Sequence, residues 1–123
     1  MSKHPRIYPI EYKGHTIIYT DWSHIADAQE FCEIIKSTSE HLVTLQQFNL
    51  LELIDVRETN FSKDVLITLQ HMAKKTRPFN KKKAVVAHFS PTRLFILRTI
   101  NQFSSDKIEP FHDMVDAKEW LIL

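Results

Sequence analysis

Residues 50–57 read Leu50-Leu51-Glu52-Leu53-Ile54-Asp55-Val56-Arg57, a short segment dense in apolar side chains. This composition is typical of a strand that is covered on both faces, as in a parallel sheet with helices packed against it. After a polar loop, Ser62 or Asp64 can cap a helix, because their side-chain oxygens accept a hydrogen bond from the first helical turn. The segment therefore predicts a strand–loop–helix unit within an α/β fold.

Upstream of this unit, two apolar runs at 7–12 and 17–19 are separated by Lys13 and Gly14. Glycine adopts a positive φ without steric cost, so the pair of runs predicts a β-hairpin that turns at Gly14. Between the hairpin and residue 50, a helical stripe recurs at i, i+3, i+4 and i+7. Its members are Ala28, Phe31, Cys32 and Ile35. Asp27 or Ser23 caps this helix.

Downstream, the alternation of strands and helices continues. A second helical stripe ends before Pro78 and consists of Val65, Leu66, Leu69, Met72 and Ala73. Residues 84–89 predict a strand, and Ser90-Pro91 predicts a helix start, because proline at the first helical position lacks a donor that would go unused. Residues 108–111 predict a short edge strand, since Pro110 cannot donate to a ladder. Asp113 caps a last helix.

The predicted order is thus β-β-α-β-α-β-α-β-α. Strands that alternate with helices favour a mostly parallel sheet with helices packed on it, joined by right-handed connections. The chain has 123 residues and a mass of 14.5 kDa, which is the size of one domain. We therefore predict a single α/β domain over residues 1–123, with an N-terminal hairpin, about four helices and a loose N-terminal tail at 1–6.

The composition excludes several function classes. Gly14 is the single glycine, so a glycine-rich phosphate loop or a dinucleotide fingerprint is absent. Cys32 is the single cysteine, which excludes an intramolecular disulfide and a multi-cysteine zinc site. The formal net charge of +1 gives no overall attraction to nucleic acid or membrane. Without a signal-peptide core or a transmembrane segment, the predicted location is cytoplasmic.

Polar residues cluster where the predicted strands end, which is where sites form in open α/β sheets. These crevice candidates are Asp21, Ser23, His88, Ser90 and His112. A serine hydrolase of this layout needs glycines beside its nucleophile, and neither serine has one, so helix capping is favoured and no catalytic residue is assigned. His88 and His112 could share a metal with Asp113 or Asp21, but solvated histidine is favoured. We predict no enzyme activity, no metal and no cofactor.

A basic segment occupies residues 74–83 and holds six of the sixteen basic residues. It lies at a helix C-terminus, where cations complement the helix dipole. Phe79 is its one aromatic residue, too few for a base-stacking platform. We therefore predict a solvated loop and no specific nucleic-acid partner.

The strand–loop–helix unit at 50–66 resembles the central unit of STAS domains, and the later segments resemble the bacterial family of stand-alone STAS-like domains. The residues that carry the second resemblance are 83–87, Asn101-Gln102-Phe103, Pro110-Phe111 and 117–121. That family is related to the anti-sigma-factor antagonists and to the lipid-binding CRAL-TRIO folds. The resemblance covers nearly the whole chain from residue 7 and implies a STAS-like fold, whereas fold alone does not define activity.

In the antagonist proteins, an Asp-Ser-Ser-Gly-like motif follows the central strand, and its phosphorylation breaks contact with an anti-sigma kinase. That motif is absent here. The loop and helix start at this place contain Arg57, Glu58, Thr59, Asn60, Ser62 and Lys63, which we predict as a phospho-switch or partner-binding loop. Ser62 is the nearest match, with Thr59 as the second hydroxyl, although Ser62 also serves as an ordinary N-cap. The resemblance implies a regulatory module for a protein partner of anti-sigma or kinase-like type.

The CRAL-TRIO kinship implies an alternative function, the binding of a lipid or small molecule in an apolar pocket. Aromatic residues near the strand ends would line it: Trp22, Phe89, Phe95, Phe103 and Phe111. An exposed helix face or the unpaired edge at 7–12 is a candidate surface for a homodimer.

Overall fold

The computed structural model describes residues 4–59, 62–88 and 108–123, and these form a sheet with helices on both faces. Its strands are β1 (Ile7–Tyr12), β2 (His15–Asp21), β3 (Leu50–Asp55), β4 (Asn80–Val86) and β5 (Ile108–Phe111). Its helices are α1 (Ala28–Thr44), α2 (Lys63–Thr76) and α3 (Met114–Leu121), with a 3₁₀ turn at Arg77–Phe79.

The sheet has the order β1-β2-β3-β4-β5, with β1 antiparallel to β2 and every other neighbour pair parallel. The predicted mostly parallel sheet with an N-terminal hairpin is confirmed. Within the described residues there are three α-helices, whereas about four were predicted. The helix predicted to start at Ser90-Pro91 lies outside the described residues. β4 begins four residues earlier than predicted, because Asn80 already pairs with Leu50.

The hairpin turns on Lys13 and Gly14, as predicted. Both residues have a positive φ, 48° and 81° respectively, which is the conformation that joins two strands with a two-residue loop. A Cβ atom added at Gly14 would meet no atom within 4 Å, so the backbone conformation and not crowding favours glycine here.

Each of the three described α-helices begins at a side-chain cap. The Asp27 carboxylate accepts from the backbone N–H of Glu30 at 2.8 Å, so Asp27 and not Ser23 caps α1. Ser62 caps α2 and Asp113 caps α3 in the same way. Such caps satisfy backbone donors that have no partner within the helix.

The core has two layers, one on each face of the sheet, and β3 contributes to both. Ile54 packs under α1 and α2 with Phe31, Ile35 and Val65. Leu53 faces the opposite side, where α3 covers it with Leu121. β3 is therefore covered on both faces, which explains why its sequence is apolar without strict alternation.

Both edge strands contain a proline whose backbone faces away from the sheet. The Asp21 N–H donates to the Arg6 carbonyl, and this register turns the backbone of Pro9 outward from β2. The Ala87 N–H donates to the Phe111 carbonyl, which places Pro110 in the same way on β5. Neither proline removes a hydrogen bond from the ladder, as expected for edge strands.

Candidate functional site

The strands β2, β3, β4 and β5 end at one edge of the sheet, and backbone hydrogen bonds continue across the loops that follow them. The Trp22 N–H donates to the Asp55 carbonyl at 2.8 Å, and the His24 N–H donates to the Arg57 carbonyl at 2.9 Å. The Val56 N–H donates to the Val86 carbonyl at 3.0 Å. We call this edge the carboxyl-end edge. Its backbone hydrogen bonds fix the loop after β2 relative to the loop after β3.

At this edge the Asp55 carboxylate accepts four hydrogen bonds. It is 1% exposed and accepts from the Tyr19 hydroxyl at 2.9 Å. Arg57 donates from Nε at 2.9 Å, from its terminal nitrogen at 2.8 Å and from its backbone N–H at 3.0 Å. A planar guanidinium fits a carboxylate through two such parallel bonds, so Arg57 is held in one orientation.

These contacts set the protonation of the cluster. Burial raises the pKa of Asp55, but the hydrogen bonds from Arg57 and Tyr19 act in the opposite direction and keep it below its usual value. Burial and the hydrogen bond to Asp55 raise the pKa of Tyr19. The hydrogen bond to Asp55 also raises the pKa of Arg57. The site thus contains a carboxylate, a guanidinium and a neutral phenol at neutral pH.

Asp21 and Ser23 form a second polar group at the end of β2. The Ser23 hydroxyl donates to the Asp21 carboxylate at 2.5 Å, and the Ser23 N–H donates to the same oxygen at 3.0 Å. Arg6 donates to the Asp21 carbonyl at 2.9 Å and lies 3.9 Å from its carboxylate. The described part of the predicted N-terminal tail therefore contacts this edge.

Thr59 links the β2 and β3 loops from inside. It is 1% exposed, and its hydroxyl donates to the Trp22 carbonyl at 2.5 Å while accepting from the Ile25 N–H at 3.2 Å. A buried hydroxyl with two backbone partners is a structural feature. Thr59 thus fixes the backbone of the loop after β3 against the loop after β2.

The remaining residues of the predicted switch loop lie on the surface. Glu58 is exposed and has a φ of 57°, so it stands at the tip of the turn after β3. The Arg57 side chain is 45% exposed. Ser62 and Lys63 are exposed at the start of α2, where Ser62 accepts from the Val65 N–H at 3.3 Å. Asn60 lies outside the described residues.

The predicted crevice residues are only partly brought together. Asp21 and Ser23 contact each other, whereas His88 and His112 are exposed and Ser90 lies outside the described residues. The hydroxyl of Ser23 bonds to a carboxylate and not to a histidine. Across the described ranges, no group of three His, Cys, Asp or Glu side chains is placed to hold a metal ion.

Two of the predicted pocket aromatics lie in the packing of the fold. Trp22 is 7% exposed, touches Phe31 and donates from its indole nitrogen to Thr38 at 3.0 Å. The ring of Phe111 packs against Trp120 with 5.7 Å between ring centroids. The other three, Phe89, Phe95 and Phe103, lie outside the described residues.

The sequence alone did not identify Tyr19, Asp55 or Arg6 as parts of the site. Asp55 was indistinguishable from an ordinary structural residue, and Tyr19 belonged to an apolar run. One feature of the sequence could have pointed to Asp55: a charged residue inside a buried strand requires a partner, and Tyr19 lies on the neighbouring strand. The register that aligns Asp21 with Asp55 was needed to locate that partner.

The sheet order and the placement of the helices define a SpoIIAA-like α/β fold, the fold of STAS domains and anti-sigma-factor antagonists. The chain is similar to the crystal structure of an uncharacterized DUF3478-family protein with a SpoIIAA-like fold from Shewanella loihica PV-4. The TM-score is 0.70, the sequence identity is 18%, and the match covers 98% of each chain. The resemblance to STAS domains is thereby confirmed for the fold.

No family model matches the sequence, and no curated protein matches it. The structural neighbour assigns no activity, because a shared fold at this identity does not carry a function with it. Among residues 4–59, 62–88 and 108–123, no helix has both the length and the apolar character needed to cross a membrane.

Proposed function

We propose that the chain is a non-enzymatic STAS-type module that docks a protein partner through the carboxyl-end edge, and that phosphorylation at Ser62 controls this docking. The observation that carries the proposal is the position of Ser62. It is exposed at the start of α2, three residues after the loop segment 56–59, which the hydrogen bonds of Asp55 and Thr59 fix. A fixed loop loses little conformational entropy when a partner binds, which favours recognition.

Ser62 is a better modification site than Thr59. The Thr59 hydroxyl is buried and engaged with two backbone groups, so a modifying enzyme would reach it only after the loop opened. Ser62 is exposed, and the hydrogen bond that its hydroxyl oxygen accepts from the Val65 N–H is long at 3.3 Å. The two candidate hydroxyls are thus unequal in access.

A phosphate at Ser62 would be stabilised by its surroundings. The first turn of a helix presents unpaired N–H groups and the positive end of the helix dipole. Lys63 and the half-exposed Arg57 lie in the same segment. Phosphorylation adds about two negative charges at neutral pH, which would cancel the positive charge that Lys63 and Arg57 give to this surface. A partner that binds the unmodified surface would therefore be released.

Apolar ligand binding is the alternative function. It draws support from Tyr8 and Tyr19, whose rings lie 5.4 Å apart on the α3 side of the sheet, with Tyr8 exposed. A saturable shift of the tyrosine fluorescence by a fatty acid or a lipid, abolished by Tyr8→Ala, would favour this function over protein docking.

The test of the main proposal compares Ser62→Asp with Ser62→Asn. Both side chains cap a helix, so the two variants differ in charge and not in capping. We expect a bait with Ser62→Asn to retain a partner from its native lysate that the Ser62→Asp bait loses. Ser37→Asp, which adds the same charge at an exposed serine of α1, is the control and should bind like the unaltered chain. Equal recovery with both Ser62 variants, together with absence of phosphate at Ser62 by mass spectrometry, would refute the proposed switch.

A further inference from the structure

The opposite edge of the sheet, where β3 and β4 begin, contains an exposed aromatic pair. Phe48 lies in the loop between α1 and β3 and is 62% exposed. Its ring stacks on Phe79 with 5.3 Å between centroids and 21° between planes. Phe79 is the one aromatic residue of the basic segment, and the α1–β3 loop brings Phe48 from outside the segment beside it. Because Phe79 covers one face of the Phe48 ring, the exposure of Phe48 leaves an accessible aromatic surface.

Four cations belong to the same segment of the chain as Phe79. Lys74, Lys75, Arg77 and Lys81 are exposed. In the described ranges, no carboxylate lies within ion-pair distance of the three lysines among them. We call the two phenylalanines and these four cations the amino-end patch.

Two further lysines of the basic segment point elsewhere, which defines the limits of the patch. Lys82 donates to the Trp120 carbonyl at 3.1 Å and lies 4.9 Å from the centre of the Trp120 ring. Lys83 is buried and donates to the Thr76 hydroxyl at 3.2 Å. The amino-end patch therefore consists of four exposed cations and one aromatic stack.

We infer that the amino-end patch binds single-stranded nucleic acid without sequence preference. A single strand combines phosphates, which match the four cations, with bases whose flat faces stack on aromatic rings. An acidic peptide would use the cations but gains nothing specific from a flat ring surface. Lipid chains would contact the rings, but the patch is flanked by amide side chains, Gln47 and Asn49, which suit hydrogen bonding to bases better than insertion into a bilayer.

The inference does not rest on the proposed function, because the patch lies at the other edge of the sheet from Ser62. A Ser62→Asp variant should bind nucleic acid like the unaltered chain. Failure of one proposal therefore leaves the other intact.

The experiment measures the fluorescence anisotropy of a labelled oligo(dT) 20-mer between 50 and 200 mM salt, settings chosen because phosphate contacts are strongly salt-dependent. We expect saturable binding whose logarithmic affinity falls with the logarithm of salt concentration at a slope of up to about −3, since each of four neutralised phosphates adds about 0.7. Phe48→Ala and Phe48→Leu should each weaken binding about tenfold, because leucine is apolar but provides no stacking surface.

Charge and position controls complete the design. A Lys74→Ala, Lys81→Ala double variant should reduce the salt slope, whereas Lys36→Ala, at an exposed position of α1, should not. Circular dichroism verifies that each variant is folded. Absence of saturable binding at 50 mM salt would overturn the inference. Unchanged affinity in Phe48→Leu would also overturn it, as would binding to anionic phosphatidylserine vesicles or to poly-glutamate that exceeds binding to oligo(dT).

Discussion

The Tyr19 hydroxyl donates a 2.9 Å hydrogen bond to the carboxylate of Asp55, which joins β2 to β3 at the edge where both strands end. Asp55 is almost fully buried, so its ionised form is stabilised by this bond and by the two parallel hydrogen bonds from the Arg57 guanidinium. These bonds therefore fix the start of the following loop as well as the charge of Asp55. The loop segment 56–59 follows a residue held by an ion pair, and bonds within the fold fix this segment.

We expect Tyr19→Phe to lower the free energy of unfolding by about 1.5 kcal/mol, because it removes a hydrogen bond to a charged acceptor in a buried position. Tyr8→Phe is the matched control. Tyr8 is exposed, and its ring contacts Tyr19, so loss of its hydroxyl should change stability by less than about 0.5 kcal/mol. Urea denaturation followed by fluorescence measures both, and equal effects would contradict the role given to the Tyr19 hydroxyl.

Stability should fall in acid in part through Asp55. Its folded pKa is held below the unfolded value of about 3.9, so the folded state releases its proton more readily than the unfolded chain. The contribution is therefore complete above that value and is lost as the pH falls through the folded pKa. Urea midpoints between pH 2 and 7 should show a smaller acid dependence in Asp55→Asn than in the unaltered chain. An identical dependence would show that Asp55 is not the responsible group.

Thr59→Val should destabilise the protein by about 2 kcal/mol. The substitution keeps the shape of the side chain but leaves the buried Trp22 carbonyl and Ile25 N–H without their hydroxyl partner. Thr44→Val tests the same chemistry at an exposed helix end, where the hydroxyl donates to the His41 carbonyl, and should be nearly neutral. Thermal unfolding compares the pair, and a neutral Thr59→Val would remove the structural role of this residue.

Ser62→Ala should cost about 1 kcal/mol, since it removes the N-cap of α2, while Ser62→Asp should be at least as stable as the unaltered chain. The measurement is the free energy of unfolding in urea. The same measurement is the folding control for the binding experiment. If Ser62→Asp is stable, its loss of a partner results from the added charge and not from unfolding. Destabilisation by both substitutions would argue that the Ser62 side chain has a role other than capping.

His4 should titrate below 6.5. Burial lowers its pKa most, and the nearby His41 and Arg6 lower it further. The His4 ring lies 2.7 Å from the Ser37 hydroxyl and 5.5 Å from the centre of the His41 ring, both on α1. The folded state then binds this proton less readily than the unfolded chain, so this contact weakens as the pH falls below 6.5. NMR titration of the His4 ring measures the pKa, and His41→Gln should raise it. A pKa of His4 at or above 6.5 would contradict the observed packing.

The arrangement of the fold was accessible from sequence because its signals are local. Gly14 marks the hairpin, Asp27 and Asp113 mark helix starts, and the apolar segment from residue 50 marks a strand covered on both faces. Each signal depends on neighbours within a few positions in the chain. The start of β4 was wrong by four residues, because polar residues at a sheet edge pair without showing a hydrophobic pattern.

The candidate site was less accessible, because its contacts are non-local. Asp55 meets Tyr19 across thirty-six positions, and Thr59 meets Ile25 across thirty-four. Such pairs depend on which strands are neighbours and on their register, and neither is encoded in a short window of sequence. The stack of Phe48 on Phe79 was missed for the same reason, since two separate loops supply the two rings.

In the described part of the chain, Pro9 and Pro110 lie on the two outer strands of the sheet. An extended segment that paired with the outer side of β1 or β5 would lack one backbone hydrogen bond there, because the outward-facing proline has no N–H to donate. Growth of the sheet by further strands, whether from another copy or from a foreign peptide, is therefore discouraged at both margins. Recognition by this protein would then depend on side chains displayed at the two ends of its strands, which is where the exposed serine and the exposed aromatic pair lie.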